Sequence, residues 1–280
     1  MKRVIDSNQL QDPKLHAFLS ASPRNVAVLP DFVAMEAYKG DPLKSIFKSM
    51  AVVSEFPRQV LILKGSQKVC ALRGRTKCLQ RRLIDENQTR NFPEYVRALR
   101  LAEAGNERLR AKILELGRSA TDHLDKMRSE AENIRGAIEV LGARYSKEER
   151  AVLRKREEYT PELTDKLVRT VLEMTAMIFR DSPLIRQPPT YKELPNTFVF
   201  RVTFTLYLLG IRKFAAGGFG DISAEKLRND FVDMMLVAYG TYFDGLMSED
   251  KNVSYMYQET CLLLVGLFDA EVPSLAVALR

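Results

Sequence analysis

Ten apolar residues between Leu109 and Leu141 fall almost throughout three or four positions apart: Leu109, Ile113, Leu116, Ala120, Leu124, Met127, Ala131, Ile134, Ile138 and Leu141. That near-heptad spacing puts them along one side of a single helix. At 1.5 Å per residue the helix reaches about 50 Å. Gly117 and Gly136 weaken it locally. A stripe of this kind needs a surface to pack on, either within the same chain or on a second subunit.

The flanking sequence has a different grammar. "KRVID" at 2–6 is a short apolar run ended by a charge, and Asp12-Pro13 then starts a helix through "KLHAFLSA". "NVAVL" reads as a second strand. Pro30 opens a helix in "DFVAMEAYKG" that stops near Gly40. Asp41-Pro42 repeats the start signal before "LKSIFKSMAVVSEF", and "QVLILK" at 59–64 is a buried strand. Strand signal is lost from about 71 to 194, where "SKEE" at 146–149 and Thr160-Pro161 start further helices and "SPLIRQPPTYKELP" is a turn-rich connector. Beyond it come an apolar helix over 196–216 that Asn196 caps, a helix from Ser223 to Gly240, a last strand in "YFDGLM" at 242–247, and a closing helix. Strands alternating with helices predict an α/β fold, a three-layer α/β/α sandwich around a mostly parallel sheet. The expected division is 1–70 and 195–280 as two parts of one core, interrupted by an all-helical insertion at 71–194.

Composition narrows the chemistry. Only His16 and His123 are present, with Cys70, Cys78 and Cys261. A zinc site of His and Cys ligands and a Ser-His-Asp hydrolase are both disfavoured. Catalysis here would run on carboxylates. The formal net charge of +7 favours a polyanionic partner. The most apolar stretch, "FTLYLLGI" from 204, is too short to span a bilayer, and sparse cysteines fit a reducing compartment. A cytoplasmic protein without membrane contact is the expectation.

Asp6 ends the first strand, where a charge costs several kcal/mol unless it is paired or binds a metal. Carboxyl ends of parallel strands collect on one edge, and Asp250, just after the last strand, reaches that edge by the same geometry. Glu36 sits on the helix after "AVLP". Asp230 and Asp233, three apart, share a helical face. Singly, each has an ordinary explanation: Asp6 as a helix cap, Glu36 as a solvated residue, Asp230 and Asp233 as an exposed face, Asp250 as a turn residue. Their joint arrangement favours a metal site.

"VIDSN", "LPDFVAMEAYKGD", "RNDFVDMMLVAYG" and "GLMSEDK" together resemble, in order and spacing, the four signatures of the PIN-domain nucleases. The likeness covers roughly 1–70 and 195–270; the insertion has no counterpart in the minimal family fold. Ser248 stands where Thr is commoner and keeps the hydroxyl. The resemblance implies a metal-dependent endoribonuclease in which Asp6, Glu36, Asp230 and Asp250 hold Mg2+ or Mn2+, with Asp233 replacing or supporting Asp230. Ser7, Asn8 and Ser248 would hold neighbouring carboxylates or water. It implies RNA ahead of DNA as substrate, and a toxin or defence effector as one possible setting.

Such acids suit hard divalent cations, which take oxygen ligands and can both ionise water and stabilise a leaving oxygen. Between Lys64 and Arg82 lie Lys64, Lys68, Arg73, Arg75, Lys77, Arg81 and Arg82 with no acid among them. They are the candidate contacts for nucleic-acid phosphates. Arg201 interrupts an apolar helix and must have a partner, either an acid of the site or a substrate phosphate. The rival reading is an inert nucleic-acid or protein-binding module that uses the helical insertion for contact. A structure-selective DNA nuclease is the second.

Overall fold

The computed structural model describes residues 1–155, 158–181, 188–218 and 222–278, without the side chains of 128–135, 137, 138, 141 and 276–278. β1 (Lys2–Ile5) leads through a 3-10 turn at 7–9 into α1 (Pro13–Ser20), and β2 (Val26–Leu29) into α2 (Asp31–Glu36) and α3 (Pro42–Glu55). β3 (Val60–Ile62) is followed by two short helices, α4 (Ser66–Cys70) and α5 (Leu79–Leu83), then by α6 (Glu86–Glu103). The long helix is α7 (Glu107–Gly142). After it come α8 (Lys147–Lys155), α9 (Pro161–Asp181), α10 (Phe198–Ala215) and α11 (Ala224–Gly240). β4 (Leu246–Met247), α12 (Lys251–Phe268) and α13 (Pro273–Ala278) close the chain. No helix among the described residues is long and apolar enough to cross a membrane.

The four strands form one all-parallel sheet in the order β3–β2–β1–β4. The fold is therefore α/β and mostly helical. Register decides which residues meet at the carboxyl edge. Ile5 lies opposite Met247 and Leu29 opposite Ile62, so Asp6, Pro30, Leu63 and Ser248 leave the sheet side by side. Side chains of the strand interiors are sealed: Val4, Ile5, Ala27 and Val28 have no exposed surface.

Helix starts follow capping chemistry. Asp12, Asp41, Asp85, Ser223 and Asp250 each accept a hydrogen bond from backbone N–H groups of the first turn, satisfying donors that the helix cannot. Two expectations need correction. The last strand is not 242–247 but two residues long, because Tyr242 and Phe243 are buried in a turn that ends at Gly245, whose φ of +149° favours glycine. Asn196 does not cap α10; Thr197 does, accepting from the Phe200 N–H, while the Asn196 side chain turns inward. The sequence also conceals α6, which carries Pro93 inside it and buries Phe92, Val96, Leu99 and Ala102 on one face.

The segment 71–194 shares its core with the rest of the chain. Ile113, Ala120, Leu124 and Met127 of the stripe are buried in the same continuous apolar cluster as Val4, Leu29 and Phe204. Leu109 is half-buried and Leu116 is 40% exposed. The side chains of Ala131, Ile134, Ile138 and Leu141 lie outside the described residues, as do residues 182–187 of the expected connector. Two glycines show how closely α7 docks. A Cβ on Gly117 would come within 2.4 Å of the Pro42 ring, and one on Gly142 within 2.5 Å of Phe214.

Candidate metal centre at the carboxyl edge

Asp6 is buried and sits among three side-chain donors. Ser248 Oγ donates to its Oδ2 at 2.5 Å, Asn8 Nδ2 to the same oxygen at 2.8 Å, and Ser7 Oγ to Oδ1 at 3.4 Å. Burial pushes the Asp6 pKa above the usual carboxylate value, while these hydrogen bonds pull against it. Ser248 Oγ in turn accepts from the backbone N–H of Asp250 at 3.1 Å. The two ends of the chain are thereby joined at this edge, and the three supporting residues expected from sequence all contact Asp6 or its neighbours.

Asp233 is the electrostatic centre. Its pKa is pushed up to about 7, first by burial and then by the negative charges of Asp6, Asp230, Asp250 and Glu36. Acids from β1, α2, α11 and the start of α12 thus act on one carboxyl group. Their roles differ. Asp250 is exposed and uses Oδ1 to cap α12, accepting from Asn252 and Val253 N–H. Glu36 ends α2 and is half-buried. Asp230 is paired with the ammonium of Lys213, both being about four-fifths buried. The two aspartates differ in surroundings: Asp233 feels the other acids, and Asp230 is paired with a lysine.

Electrostatic reach is longer than ligand reach. Among the described residues no group of three or more His, Cys, Asp or Glu stands close enough to hold a metal ion directly. The donors are nonetheless carboxylate oxygens, the kind that Mg2+ or Mn2+ prefers. Within this electrostatic group Asp6 and Asp233 are the two carboxyls whose pKa values are raised, and Glu36 and Asp250 add to the effect on Asp233.

Several of the basic candidates are engaged within the fold itself. Arg201 is fully buried and its partner is neither an acid nor a phosphate. Its guanidinium donates to the carbonyls of Pro195, Thr241 and Glu271, to Thr241 Oγ1 and to Asn196 Oδ1, all at 2.8–3.0 Å, and lies over the Tyr242 ring. Arg201 is therefore a structural residue and has no surface to offer a substrate. In the 64–82 stretch much of the charge braces the segment itself. Lys64 Nζ donates to the Arg82 carbonyl, Arg82 donates to the carbonyls of Arg73 and Arg75, and Arg75 and Arg81 pair with Glu193 and Glu86. Lys68 adds to the positive charge around Asp85. Lys64 follows Leu63 out of the carboxyl edge, but Gly74 abuts the Glu193 carbonyl, just ahead of α10, whereas the Lys213–Asp230 pair lies at the far end of that helix. Eighteen residues of helix make that separation about 27 Å. Lys77 has no ion pair among the described residues and remains the freest of the run.

Sequence reasoning missed Lys213, whose ammonium pairs with Asp230, and its neighbour Arg212. They occupy the last turn of α10, where basic residues are expected simply to offset the helix dipole, so nothing local marked them. Arg212 pairs with Glu259 and lies over the Tyr255 ring. Compared with known proteins, the chain matches no family model, no curated protein and no solved structure.

Proposed function

We propose that the protein is a divalent-metal-dependent nuclease of PIN type, with RNA as the favoured substrate. One observation carries the reading. Carboxylates from four separate segments bear on Asp233 and, with burial, raise its pKa to about 7, a repulsion that a bound cation would relieve. The sheet order supports it as well. Right-handed connections on β3–β2–β1–β4 put α1 and α3 on one face and α11 on the other, the layering that the resemblance implies.

A bound divalent ion would supply the charge that ionises water and stabilises the leaving oxygen of a phosphodiester. Asp6 and Asp233 would hold it, and Glu36 and Asp250 would hold its waters. Ser7, Asn8 and Ser248 keep Asp6 oriented by donating to it. Below about pH 7 Asp233 carries a proton, which a bound cation would displace.

A second reading, a non-catalytic binding module, is favoured by the Lys213–Asp230 pair, which neutralises one acid without any metal. Labelled single-stranded RNA, single-stranded DNA and flapped duplex should be incubated with Mg2+ or Mn2+ and with wild type, Asp6→Asn or Asp233→Asn. We expect RNA cleavage by the wild type and a loss of at least 100-fold in either variant, roughly the scale of removing a key electrostatic group. Preference for the flapped duplex would move the substrate to DNA. No cleavage of any substrate with either metal would end the nuclease reading.

A further inference from the structure

Beside the acids lies a cleft of about 460 Å3, walled by α8, α10, α11 and α12. Its volume falls within the range of small-ligand sites, about 300–1,000 Å3. Four cations line it, Arg154, Arg212, Lys213 and Lys226, against a single carboxylate, Asp230; Asn252 lines it next to Asp250. The two inner cations are held by acids, Arg212 by Glu259 and Lys213 by Asp230. The two outer ones, Arg154 on α8 and Lys226 on α11, are exposed and make no ion pair among the described residues. Like charges that face one recess repel unless an anion sits between them.

We infer that this cleft is the phosphate-binding subsite that seats the nucleic-acid backbone next to the acids. The inference rests on the nuclease reading for its ligand class, because a hydrolase of phosphodiesters must hold the polyanion beside a centre that would otherwise repel it. Position singles out this cleft over the 64–82 stretch. Asp230 belongs both to its wall and to the group of acids acting on Asp233, so a phosphate here is one helical turn of α11 from the proposed centre. The cleft also gives 71–194 a task. Arg154 comes from that segment, which completes a recess that the remainder of the chain would leave open on one side.

The test is binding without cleavage. Fluorescence anisotropy of a labelled short oligouridylate, in EDTA, should be followed against salt for the wild type, for Arg154→Ala/Lys226→Ala, and for Lys68→Ala/Lys77→Ala in the other basic stretch. We expect the cleft variant to bind several-fold more weakly, with a salt slope shallower by about 1.4, the change expected when two fewer phosphates of a single strand are neutralised. The other variant should change both quantities less. Arg154→Lys/Lys226→Arg, which keeps both charges, should bind like the wild type and so exclude a folding defect. The proposal is overturned if the wild type does not bind in low salt. It is equally overturned if the cleft variant keeps the wild-type affinity and slope, or if the Lys68/Lys77 variant loses more. Should cleavage assays fail while the cleft variant still loses binding, the subsite stands and only the hydrolytic reading falls.

Discussion

A charge in an apolar run is ambiguous until its partners are known, and this chain contains two opposite cases. Asp6 is legible because its helpers follow it immediately: Ser7 and Asn8 are local, and Ser248 arrives through the register of β1 with β4. Arg201 is not, because the groups that satisfy it come from residues 40 and 70 positions away, Thr241 and Glu271. Three of its five acceptors are backbone carbonyls, which every sequence has everywhere and no pattern reveals. Five acceptors that face one guanidinium make a demanding site. Arg201→Met should destabilise the fold by about 3–5 kcal/mol, since it orphans buried acceptors rather than exchanging them for water. Arg201→Lys should recover only part of that, because an ammonium has three donors and no planar fork. Urea denaturation checks both; a Met variant as stable as the wild type would show that the acceptors find other donors.

Elements differ in how plainly the sequence announces them, for reasons visible in their neighbours. Short apolar runs bounded by Pro, Asp or Gly mark β1, β2 and β3 to within two residues at either end. β4 is shorter than its sequence suggests because Tyr242 and Phe243, good strand formers, are buried through a turn instead. α6 is hidden because a proline inside a helix argues against the helix, although its buried positions repeat at three and four. Two glycines inside α7, Gly117 and Gly136, look alike in sequence and prove different. Nothing lies within 4 Å of a Cβ at Gly136, whereas at Gly117 the Pro42 ring already occupies the place. Gly136→Ala should stabilise the protein by about 0.5–1 kcal/mol through helix propensity alone. Gly117→Ala gains the same propensity but must push α7 off α3, so a net loss of about 1–3 kcal/mol is expected. Thermal melts of the pair decide it, and equal effects would mean that the α3–α7 contact yields freely.

At the scale of the molecule, the acids gather because the sheet carries both halves of the chain to one edge, and their mutual repulsion is a property of the fold. Sequence order indicated which acids could meet there; it could not indicate how strongly they would act on one another, since that depends on burial. The effect has a definite sign. A free aspartate near its ordinary pKa of 3.8 is ionised in the unfolded chain above about pH 4, but folded Asp233 keeps its proton to about pH 7. Over that interval the folded state binds more protons, so stability falls as pH rises and then levels off. Partial solvent access reduces the full effect of this raised pKa to about 2–3 kcal/mol. Asp6, whose pKa is also raised, adds in the same direction. In EDTA the wild type should therefore lose more stability than Asp233→Asn between about pH 5 and about pH 8. Because Mn2+ takes the place of the proton, adding it at the upper pH should raise the melting temperature of the wild type and leave the variant nearly unchanged. Parallel pH profiles for the two proteins would mean that the carboxylates are too well solvated to repel. With that, the reason for a cation among them would disappear, whatever the protein does with nucleic acid.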